Sequence, residues 1–316
     1  MGFRGDPVVG LLFPGQGSQF VGMGRDLAEA SDIARRTFEE ADDLLGFALS
    51  KLCWDGPEAV LTATNNAQPA ILTHSIAAYR VLVDAGELSV DDVHVAAGHS
   101  LGEFTAYVAA GAISFEEGLR TVRLRGELMY RAGQERSGAM AAILGLSEEG
   151  VDDVCRRASE EGGECVPANY NSPHQIVISG DTAAIERAME LAKEAGARRA
   201  LRLNVSGAFH SPLMDVAVPG LREQLAHVTI RAPQFPIVSN VTAEPVSDPE
   251  RARALLLEQL TSAVRWTQGV HGMVAAGVTD FIEIGPGNVL SGLVKRIEKG
   301  VHTRTFGTAA ELEALT

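Results

Sequence analysis

Hydrophobic and polar positions along the chain follow two alternating patterns. Short apolar runs that end in glycine or proline predict strands, for example at 8–13 and 93–97. Longer segments with apolar residues every three or four positions predict helices, for example at 25–45, 69–85 and 115–132. Because strands and helices alternate in this way, we expect an α/β fold with a mostly parallel sheet.

The pattern changes in the middle of the chain, at 138–204. Strand, helix, strand, strand, helix and strand follow one another there, which is the β-α-β-β-α-β order of a ferredoxin-like unit. The earlier alternation then resumes, with strands predicted at 235–242 and 280–285 and helices at 249–262 and 266–277. The predicted division has three parts: a core segment 1–136, an inserted subdomain 137–204 and a second core segment 205–316.

A G-x-S-x-G pattern stands between the predicted strand at 93–97 and a helix that begins near Gly102. In a strand–turn–helix setting this pattern predicts a nucleophile elbow, with the Ser100 hydroxyl exposed at the carboxyl end of the sheet. The amide of Leu101 would then lie at a helix N-terminus and face a developing oxyanion. The alternative is that Ser100 only caps the helix, which is common for serine.

An activated serine needs a base, and the chain has eight histidines. His210 is the best-placed candidate because it lies in a polar loop ahead of a helix, where functional residues concentrate. His99 adjoins the serine, but successive side chains in an elbow diverge, so we expect it to form a pocket wall. No acid between Ser100 and His210 stands out, so a main-chain carbonyl could orient the imidazole.

Three arginines lie on the predicted helix at 115–132: Arg120, Arg123 and Arg125. Their spacing does not separate a functional arginine from a solvated face, which is the usual location of arginine. Gly126 lies in the middle of the same helix, where glycine costs about 1 kcal/mol relative to alanine. This position predicts that another segment packs closely against the helix.

Composition and charge narrow the function further. The formal net charge of −14 disfavours nucleic-acid binding, although a local basic patch could still bind an acidic protein. The three cysteines have no metal-ligand spacing and fit reduced thiols. No signal-peptide pattern and no apolar run of membrane-spanning length occur. We therefore expect a cytoplasmic protein that uses no metal and no cofactor.

Six segments occur in an order that resembles one enzyme family: PGQGSQ at 14–19, GHSLGE at 98–103, RLRG at 123–126, GAFHSPLM at 207–214, QLTSAVRW at 259–266 and IEIGPGNVLSGLVKR at 282–296. Together they are similar to the malonyl-CoA:acyl-carrier-protein transacylases of fatty-acid synthesis and to their polyketide synthase relatives. The resemblance spans nearly the whole chain. It implies an α/β-hydrolase-like core with an inserted ferredoxin-like subdomain.

The resemblance also implies a role for each catalytic group. Ser100 would attack the thioester of malonyl-CoA with His210 as general base, and the phosphopantetheine thiol of holo acyl carrier protein would then accept the malonyl group. The main-chain carbonyl of Gln259 would hold the imidazole. The backbone amides of Gln16 and Leu101 would bind the oxyanion.

The substrate-binding residues follow from the same resemblance. Arg125 matches the arginine that binds the malonyl carboxylate, a pairing that would select malonyl over acetyl. Phe209 resembles the form that favours malonyl over branched units. Asn169 and Asn171 match a segment that lines the cleft between the subdomains, and His99 would line the same pocket.

Three alternatives stay open at this point. A transferase acting in trans on a polyketide synthase would use the same chemistry with a different carrier. A serine hydrolase or thioesterase would share the elbow, but it normally has an acid before its histidine. A non-catalytic scaffold would have no need of all three groups, Ser100, His210 and Arg125.

A carrier protein of this kind is acidic, so attraction to this acidic chain has to be local. The densest basic clusters are Arg198, Arg199 and Arg202, and Lys295, Arg296 and Lys299. We predict that one of these clusters docks the carrier protein.

Overall fold

The computed structural model describes residues 8–315, and these residues form two β-sheets surrounded by helices. The first and last predicted domain segments, 1–136 and 205–316, include residues 1–7 and 316, which lie outside the described residues. The fold is mixed α/β, as expected, and the sheet of the larger unit is mostly parallel.

The six-stranded sheet has the order β10-β9-β1-β2-β7-β8, in which only the β7–β8 pair is antiparallel. The four-stranded sheet has the order β4-β5-β3-β6 and is entirely antiparallel. The strands are β1 Val9–Phe13, β2 Val93–Gly98, β3 Gly138–Leu144, β4 Cys165–Ser172, β5 Gln175–Asp181, β6 Arg199–Arg202, β7 Ile237–Val238, β8 Pro245–Val246, β9 Asp280–Ile284 and β10 His302–Phe306.

Helices cover both faces of the parallel sheet and one face of the antiparallel sheet. They are α1 Arg25–Ala30, α2 Asp32–Leu45, α3 Leu49–Asp55, α4 Glu58–Thr62, α5 Thr64–Asp84, α6 Leu101–Ala109, α7 Phe115–Glu135, α8 Glu148–Glu161, α9 Thr182–Glu194, α10 Val218–His227, α11 Pro249–Glu258, α12 Trp266–Ala275, α13 Val289–Ile297 and α14 Ala309–Glu313.

The two central strands, β1 and β2, determine the position of the functional site. Both are nearly continuous apolar runs, because a parallel strand covered on both faces buries most of its side chains, and only His94 of β2 is exposed. They pair in register from Leu11 opposite Ala96 to Phe13 opposite Gly98. Since both strands end at the same edge, the loop after β1 and the turn after β2 become neighbours.

The antiparallel sheet is built from residues 138–202 in the predicted order β3-α8-β4-β5-α9-β6. Helices α8 and α9 pack against one face through a separate apolar core that includes Ile143, Val151 and Ile178. The other face turns toward the parallel-sheet unit. A backbone bridge between Asn169 and Val264 joins the two units directly.

Several predicted elements differ from the observed ones. The helix predicted at 25–45 is two helices, because Ser31 is extended and its hydroxyl accepts the amide of Ala34 as the cap of α2. The helix predicted at 69–85 begins at Thr64. Pro69 lies inside α5 close to its start, where a missing amide removes one backbone hydrogen bond. The last two elements, β10 and α14, were not predicted.

The strand predicted at 235–242 is only two residues long, Ile237–Val238. Beyond it, the amide of Ser239 donates to Glu244 and the amide of Asn240 donates to the Glu103 carboxyl group. The first bond closes the hairpin between β7 and β8, and the second ties its turn to α6, so the chain leaves the parallel strands at the edge where the functional groups lie.

Helix α7 packs closely against the start of α5. A Cβ atom on Gly126 would lie 2.7 Å from the carbonyl oxygen of Thr64, so only glycine allows this approach. The prediction of close packing at Gly126 is confirmed. The crossing also fixes the position of Arg125 on α7.

Candidate active site

The turn between β2 and α6 is a nucleophile elbow. Ser100 has φ 52° and ψ −107°, a strained conformation for a residue with a side chain. A Cβ atom on Gly98 would lie 1.9 Å from the backbone of Gly102, and one on Gly102 would lie 2.0 Å from the carbonyl oxygen of Phe13. Both glycines are therefore required. The Ser100 hydroxyl accepts no amide of α6, so serine capping does not explain the residue.

Ser100 and His210 are in hydrogen-bond contact. The Ser100 Oγ atom lies 2.8 Å from Nε2 of His210. On the other side of the ring, Nδ1 lies 2.9 Å from the carbonyl oxygen of Gln259 and 3.1 Å from that of Ser262. Carbonyl oxygens only accept hydrogen bonds, so Nδ1 carries the proton and Nε2 is free to accept the serine proton.

The environment keeps the His210 ring neutral. Burial is the larger cause and the nearby positive charge of Arg125 the second, and together they lower the pKa of His210 to about 3. The Gln259 carbonyl opposes this shift. The side chain is only 4% exposed. The ring is thus in the form that can accept a proton from serine throughout the neutral range.

Arg125 is the functional arginine of the three on α7. It is 1% exposed, whereas Arg120 and Arg123 are partly exposed and pair with glutamates of their own helix. The Nη1 group donates to Gln68 Oε1 at 2.7 Å, and Nη2 donates to Ser100 Oγ at 3.1 Å. A buried guanidinium beside a nucleophile is a site for an anionic substrate group.

The Arg125 guanidinium has a further contact and a free donor. Nη2 also donates to the side-chain carbonyl of Gln259 at 3.0 Å, while Nε has no partner in residues 8–315. Burial lowers the pKa of Arg125 to about 10, with the charge of Glu103 opposing the shift, so the group is still a cation at neutral pH.

Two backbone amides are free to bind an oxyanion. The amides of Gln16 and Leu101 take part in none of the hydrogen bonds found among the described residues. The loop after β1 contacts the elbow closely, because a Cβ atom on Gly15 would lie 2.3 Å from the carbonyl oxygen of His99. Unpaired amides next to Ser100 are what a tetrahedral intermediate requires.

A cavity of about 320 Å³ opens above Ser100 between the two sheets. His99, Phe209, Asn169 and Asn171 all line it, as do Gln16, Leu101, Arg125 and His210. The His99 ring bonds Asn171 Oδ1 through Nε2 at 2.7 Å. The structure thus brings every predicted site residue to one place. Gln259 alone does not line the cavity and lies behind Arg125 and His210.

Two other features are absent from the described part of the chain. No group of three or more His, Cys, Asp or Glu side chains there could hold a metal ion. Within residues 8–315 no helix combines the length and apolar character needed to cross a membrane.

Comparison with known proteins agrees with this geometry. The family described as acyl transferase domain matches residues 11–312. A malonyl CoA-acyl carrier protein transacylase of Bacillus subtilis (strain 168) is 48% identical over 295 residues, which is 93% of this chain and 92% of that protein. This chain belongs to the malonyl-CoA:acyl-carrier-protein transacylase family of acyl transferases.

Solved structures of other transacylases share the whole fold. The crystal structure of acyl-carrier-protein-S-malonyltransferase from Bartonella henselae has a TM-score of 0.93 and 45% identity, covering 97% of this chain and 98% of that one. A type II PKS acyl-carrier protein in complex with its malonyl-transacylase also matches. Its TM-score is 0.93 and its identity 42%, over 97% of this chain and 98% of that one.

Four groups of this acyltransferase site were not predicted from the sequence. Asn240 accepts the amide of Ser100 through Oδ1 at 2.7 Å and donates to the carbonyl of Gly98 at 2.7 Å, which holds the elbow in place. Gln68 contacts Arg125, and the Ser262 carbonyl shares the imidazole proton. The fourth group is the buried carboxyl of Glu103, three residues after the nucleophile.

Proposed function

We propose that this acyltransferase transfers a malonyl group from coenzyme A to the phosphopantetheine thiol of acyl carrier protein through a malonyl-Ser100 intermediate. The contact of 3.1 Å between Arg125 Nη2 and Ser100 Oγ carries the proposal. A carboxylate bound to the buried guanidinium would lie beside an acyl group on the serine. That is the geometry of a malonyl group and not of an acetyl group.

In the first half-reaction, Ser100 attacks the thioester carbonyl and its proton passes to Nε2 of His210. The tetrahedral oxyanion faces the amides of Gln16 and Leu101. As the carbon–sulfur bond breaks, the imidazolium returns the proton to the departing CoA thiolate. The second half-reaction reverses these steps, with the carrier thiol as nucleophile, so the kinetics are ping-pong.

Arg125 supplies the preference for malonyl. The buried guanidinium has an Nε donor without a partner among the described residues and can bind a substrate carboxylate, an interaction that an acetyl group cannot make. Phe209 is buried beside His210 and limits the room near the α-carbon of the acyl group. Asn169, Asn171 and His99 shape the wall of the cavity on the side of the smaller sheet.

A hydrolase is a less well supported interpretation of the same site. The imidazole is oriented by two carbonyls instead of an acid, and Arg125 would have no purpose for a simple ester. A transferase acting on a polyketide carrier is favoured by one observation, the structural match to a malonyl-transacylase bound to a type II PKS acyl-carrier protein. The chemistry is the same, and the carrier decides the pathway.

The carrier is proposed to dock on one basic edge of the smaller sheet. Leu144 of β3 pairs with both Gln175 and Arg199, and Arg296 of α13 donates to Gln175 at 3.0 Å. The two basic clusters of the sequence therefore meet there. We define the basic edge as the exposed residues Arg198, Arg199 and Arg296. Such a surface attracts an acidic partner to an acidic enzyme.

Two organisational proposals accompany this function. Residues 137–204 are proposed to be a subdomain inserted between the core segments 1–136 and 205–316, since they contain the whole antiparallel sheet and a core of their own. The cytoplasm is the proposed location, supported by three buried cysteines without disulfides: Cys53, Cys155 and Cys165.

Intact-protein mass spectrometry tests the function. Wild type and Ser100→Ala are incubated with malonyl-CoA or acetyl-CoA, and holo acyl carrier protein is then added. We expect a malonyl adduct that is absent in Ser100→Ala and is discharged to the carrier. Rapid CoA release with no transfer to the carrier would instead identify a hydrolase, and neither adduct nor release would reject an enzymatic role.

A further inference from the structure

Glu103 is a buried acid that the reaction steps above do not use. It lies in the first turn of α6 and is fully buried. Its Oε2 atom accepts the amide of Asn240 at 3.0 Å and Nε2 of Gln259 at 2.7 Å. No partner for Oε1 exists in the described chain. A buried carboxyl oxygen without a partner is costly, so the position requires a reason.

Gln259 connects this acid to the arginine. Its amide nitrogen donates to Glu103, and its side-chain carbonyl accepts Nη2 of Arg125 at 3.0 Å. A carboxylate only accepts and a guanidinium only donates, so the amide of Gln259 has one possible orientation between them. Glu103 and Arg125 thus form a buried pair of opposite charges bridged by an amide.

Among the ionisable groups around this pair, Glu103 is the one that titrates near neutrality. Burial raises its pKa to about 7, although bonds from Asn240 and Gln259 and the charge of Arg125 oppose the shift. Burial places the pKa of Tyr107, on the same helix, far above its usual range, so this side chain is neutral.

The other neighbours keep one charge state near pH 7. The pKa of His210 is lowered to about 3 and that of His99 is also lowered by burial, so both rings are neutral. Arg125, on α7, stays cationic with a pKa of about 10.

We propose that Glu103 is the resident counter-charge of Arg125 and takes up a proton when the malonyl carboxylate binds to that arginine. The inference rests on the proposed function, because it requires a substrate carboxylate at Arg125. In the empty site, one buried anion balances one buried cation. In the loaded site, two carboxylates would share one guanidinium, and the excess buried negative charge is relieved by protonation.

The proton comes from solvent and goes to Oε1, since Oε2 already accepts two hydrogen bonds. No bond of the substrate forms or breaks in this step. Glu103 touches neither the substrate nor the reacting atoms, so it acts through Arg125 as a positioning residue. Its protonation would allow the pocket to accept an anionic acyl group. Because binding has to be accompanied by proton uptake, the group would not be held so tightly that its transfer is slowed.

Titration calorimetry in two buffers of different ionisation enthalpy tests the proposal. Ser100→Ala is used as the background so that binding is measured without acyl transfer. We expect malonyl-CoA to take up roughly half a proton per site at pH 7 if the pKa of Glu103 starts near 7 and rises by one unit or more. Acetyl-CoA carries the same phosphates but lacks the carboxylate. Its binding is expected to cause only the proton uptake that the CoA part of both ligands causes.

Two glutamate variants are compared in that background. Glu103→Gln is expected to abolish the malonyl-specific uptake. Glu283→Gln is the matched control, because Glu283 is also fully buried and accepts two backbone amides, those of Leu290 and Ser291. Glu283 has no link to Arg125, so the control should keep the uptake.

Kinetics give a second readout in the enzyme with an intact Ser100. The KM for malonyl-CoA, divided by that for acetyl-CoA, should rise about eightfold between roughly pH 6 and pH 9 for a one-unit shift. Glu103→Gln should flatten this dependence. The proposal would be overturned if a folded Glu103→Gln enzyme kept the wild-type pH dependence of the KM ratio. It would also be overturned if Glu103→Gln took up as many protons on binding malonyl-CoA as the enzyme with Glu103.

If Glu103→Gln does not fold, difference infrared spectroscopy on Ser100→Ala labelled with ¹³C-glutamate decides. Malonyl-CoA should produce the carbonyl band of a protonated carboxylic acid that shifts with the label, and acetyl-CoA should not. Absence of that band overturns the inference. If wild type forms no malonyl-Ser100 adduct, the proposed function fails instead, so the two failures are distinguishable.

Discussion

The parallel-sheet unit and the antiparallel sheet face each other across one cavity, but they contribute different things to it. The parallel-sheet unit supplies Ser100, His210, Arg125 and the free amides, and hydrogen bonds fix each catalytic side chain from behind. The antiparallel sheet supplies wall residues such as Met140 and Val177, held mainly by packing.

This difference has a physical cause. Groups that exchange protons must be positioned to within a few tenths of an ångström, which requires directional bonds and rigid strand ends. A wall only has to exclude volume, and apolar contacts suffice for that. We therefore expect changes in the first region to alter malonyl transfer by orders of magnitude, and changes in the second region to alter, by smaller factors, the size of the acyl group that fits.

The largest expected effect comes from removing the guanidinium. Arg125→Ala should lower kcat/KM for malonyl-CoA by about 10³-fold, because the carboxylate loses a desolvated bidentate partner, and should leave acetyl-CoA nearly unaffected. The measurement is steady-state kinetics with both substrates. Arg120→Ala on the same helix is the control, since its side chain is exposed and pairs with Glu116 away from the cavity. Equal losses for both substrates would contradict an anion-selecting role.

A smaller effect is expected at the basic edge. Arg198→Glu, Arg199→Glu and Arg296→Glu combined should raise the KM for the carrier protein about tenfold, more at low salt, without changing the KM for malonyl-CoA. Combined reversal of Arg156 and Arg157, on α8, and Arg187, on α9, changes the net charge by the same amount and is the control. A carrier KM that stays at the wild-type value in the triple variant would rule out this edge as the docking surface.

The cavity wall formed by the antiparallel sheet should determine how large an acyl group the enzyme accepts. Met140→Ala removes a side chain that is 5% exposed and lines the cavity. Transfer of a methyl-substituted malonyl group is expected to rise about threefold to fivefold relative to malonyl, because Met140→Ala removes the Cγ, Sδ and Cε atoms from the wall and leaves room for the added methyl group. Competition between the two CoA thioesters measures the ratio. Val166→Ala, on β4 outside the cavity, should not change it.

The smallest expected effect is on the free energy of unfolding, through the contact that joins the antiparallel sheet to α7. Asp181 receives two bonds from Arg136 and the amide of Glu164, and these hold its pKa below the usual value against the effect of burial. Asp181→Asn should cost about 1 kcal/mol in unfolding free energy. A depressed pKa means that the wild-type advantage exists above pH 4 and disappears as the pH falls below the native pKa. Urea titrations at pH 7 and near pH 3 check this.

Local patterns carried much of the prediction. The alternation of strands and helices predicted the mixed α/β fold and the β-α-β-β-α-β unit, because both depend on which faces are buried. The elbow was predicted because glycines at 98 and 102 are sterically necessary there. Ser100 and His210 could be proposed as a pair, since one requires the other.

Groups defined by tertiary packing were harder to predict. Arg120, Arg123 and Arg125 share one helix, and only the crossing with α5 decides that the third is buried. Glu103 looks like an ordinary polar position in an elbow helix, and its burial depends on the chain leaving β7 at Asn240. The family resemblance pointed to Arg125, but no pattern in the chain pointed to Glu103 or Asn240.

The two carbonyls that orient His210 have a consequence for the fate of the acyl-enzyme. Without an acid behind it and with a cation in front, the imidazole is a weak base. A thiol, with a pKa near 8.5, can give up its proton to such a base far more readily than water, whose pKa is about 15.7. Activation of Ser100 by the same base is assisted by Arg125 Nη2, which donates to its Oγ atom. The carrier thiol needs less assistance than water, which favours transfer of the malonyl group over its hydrolysis.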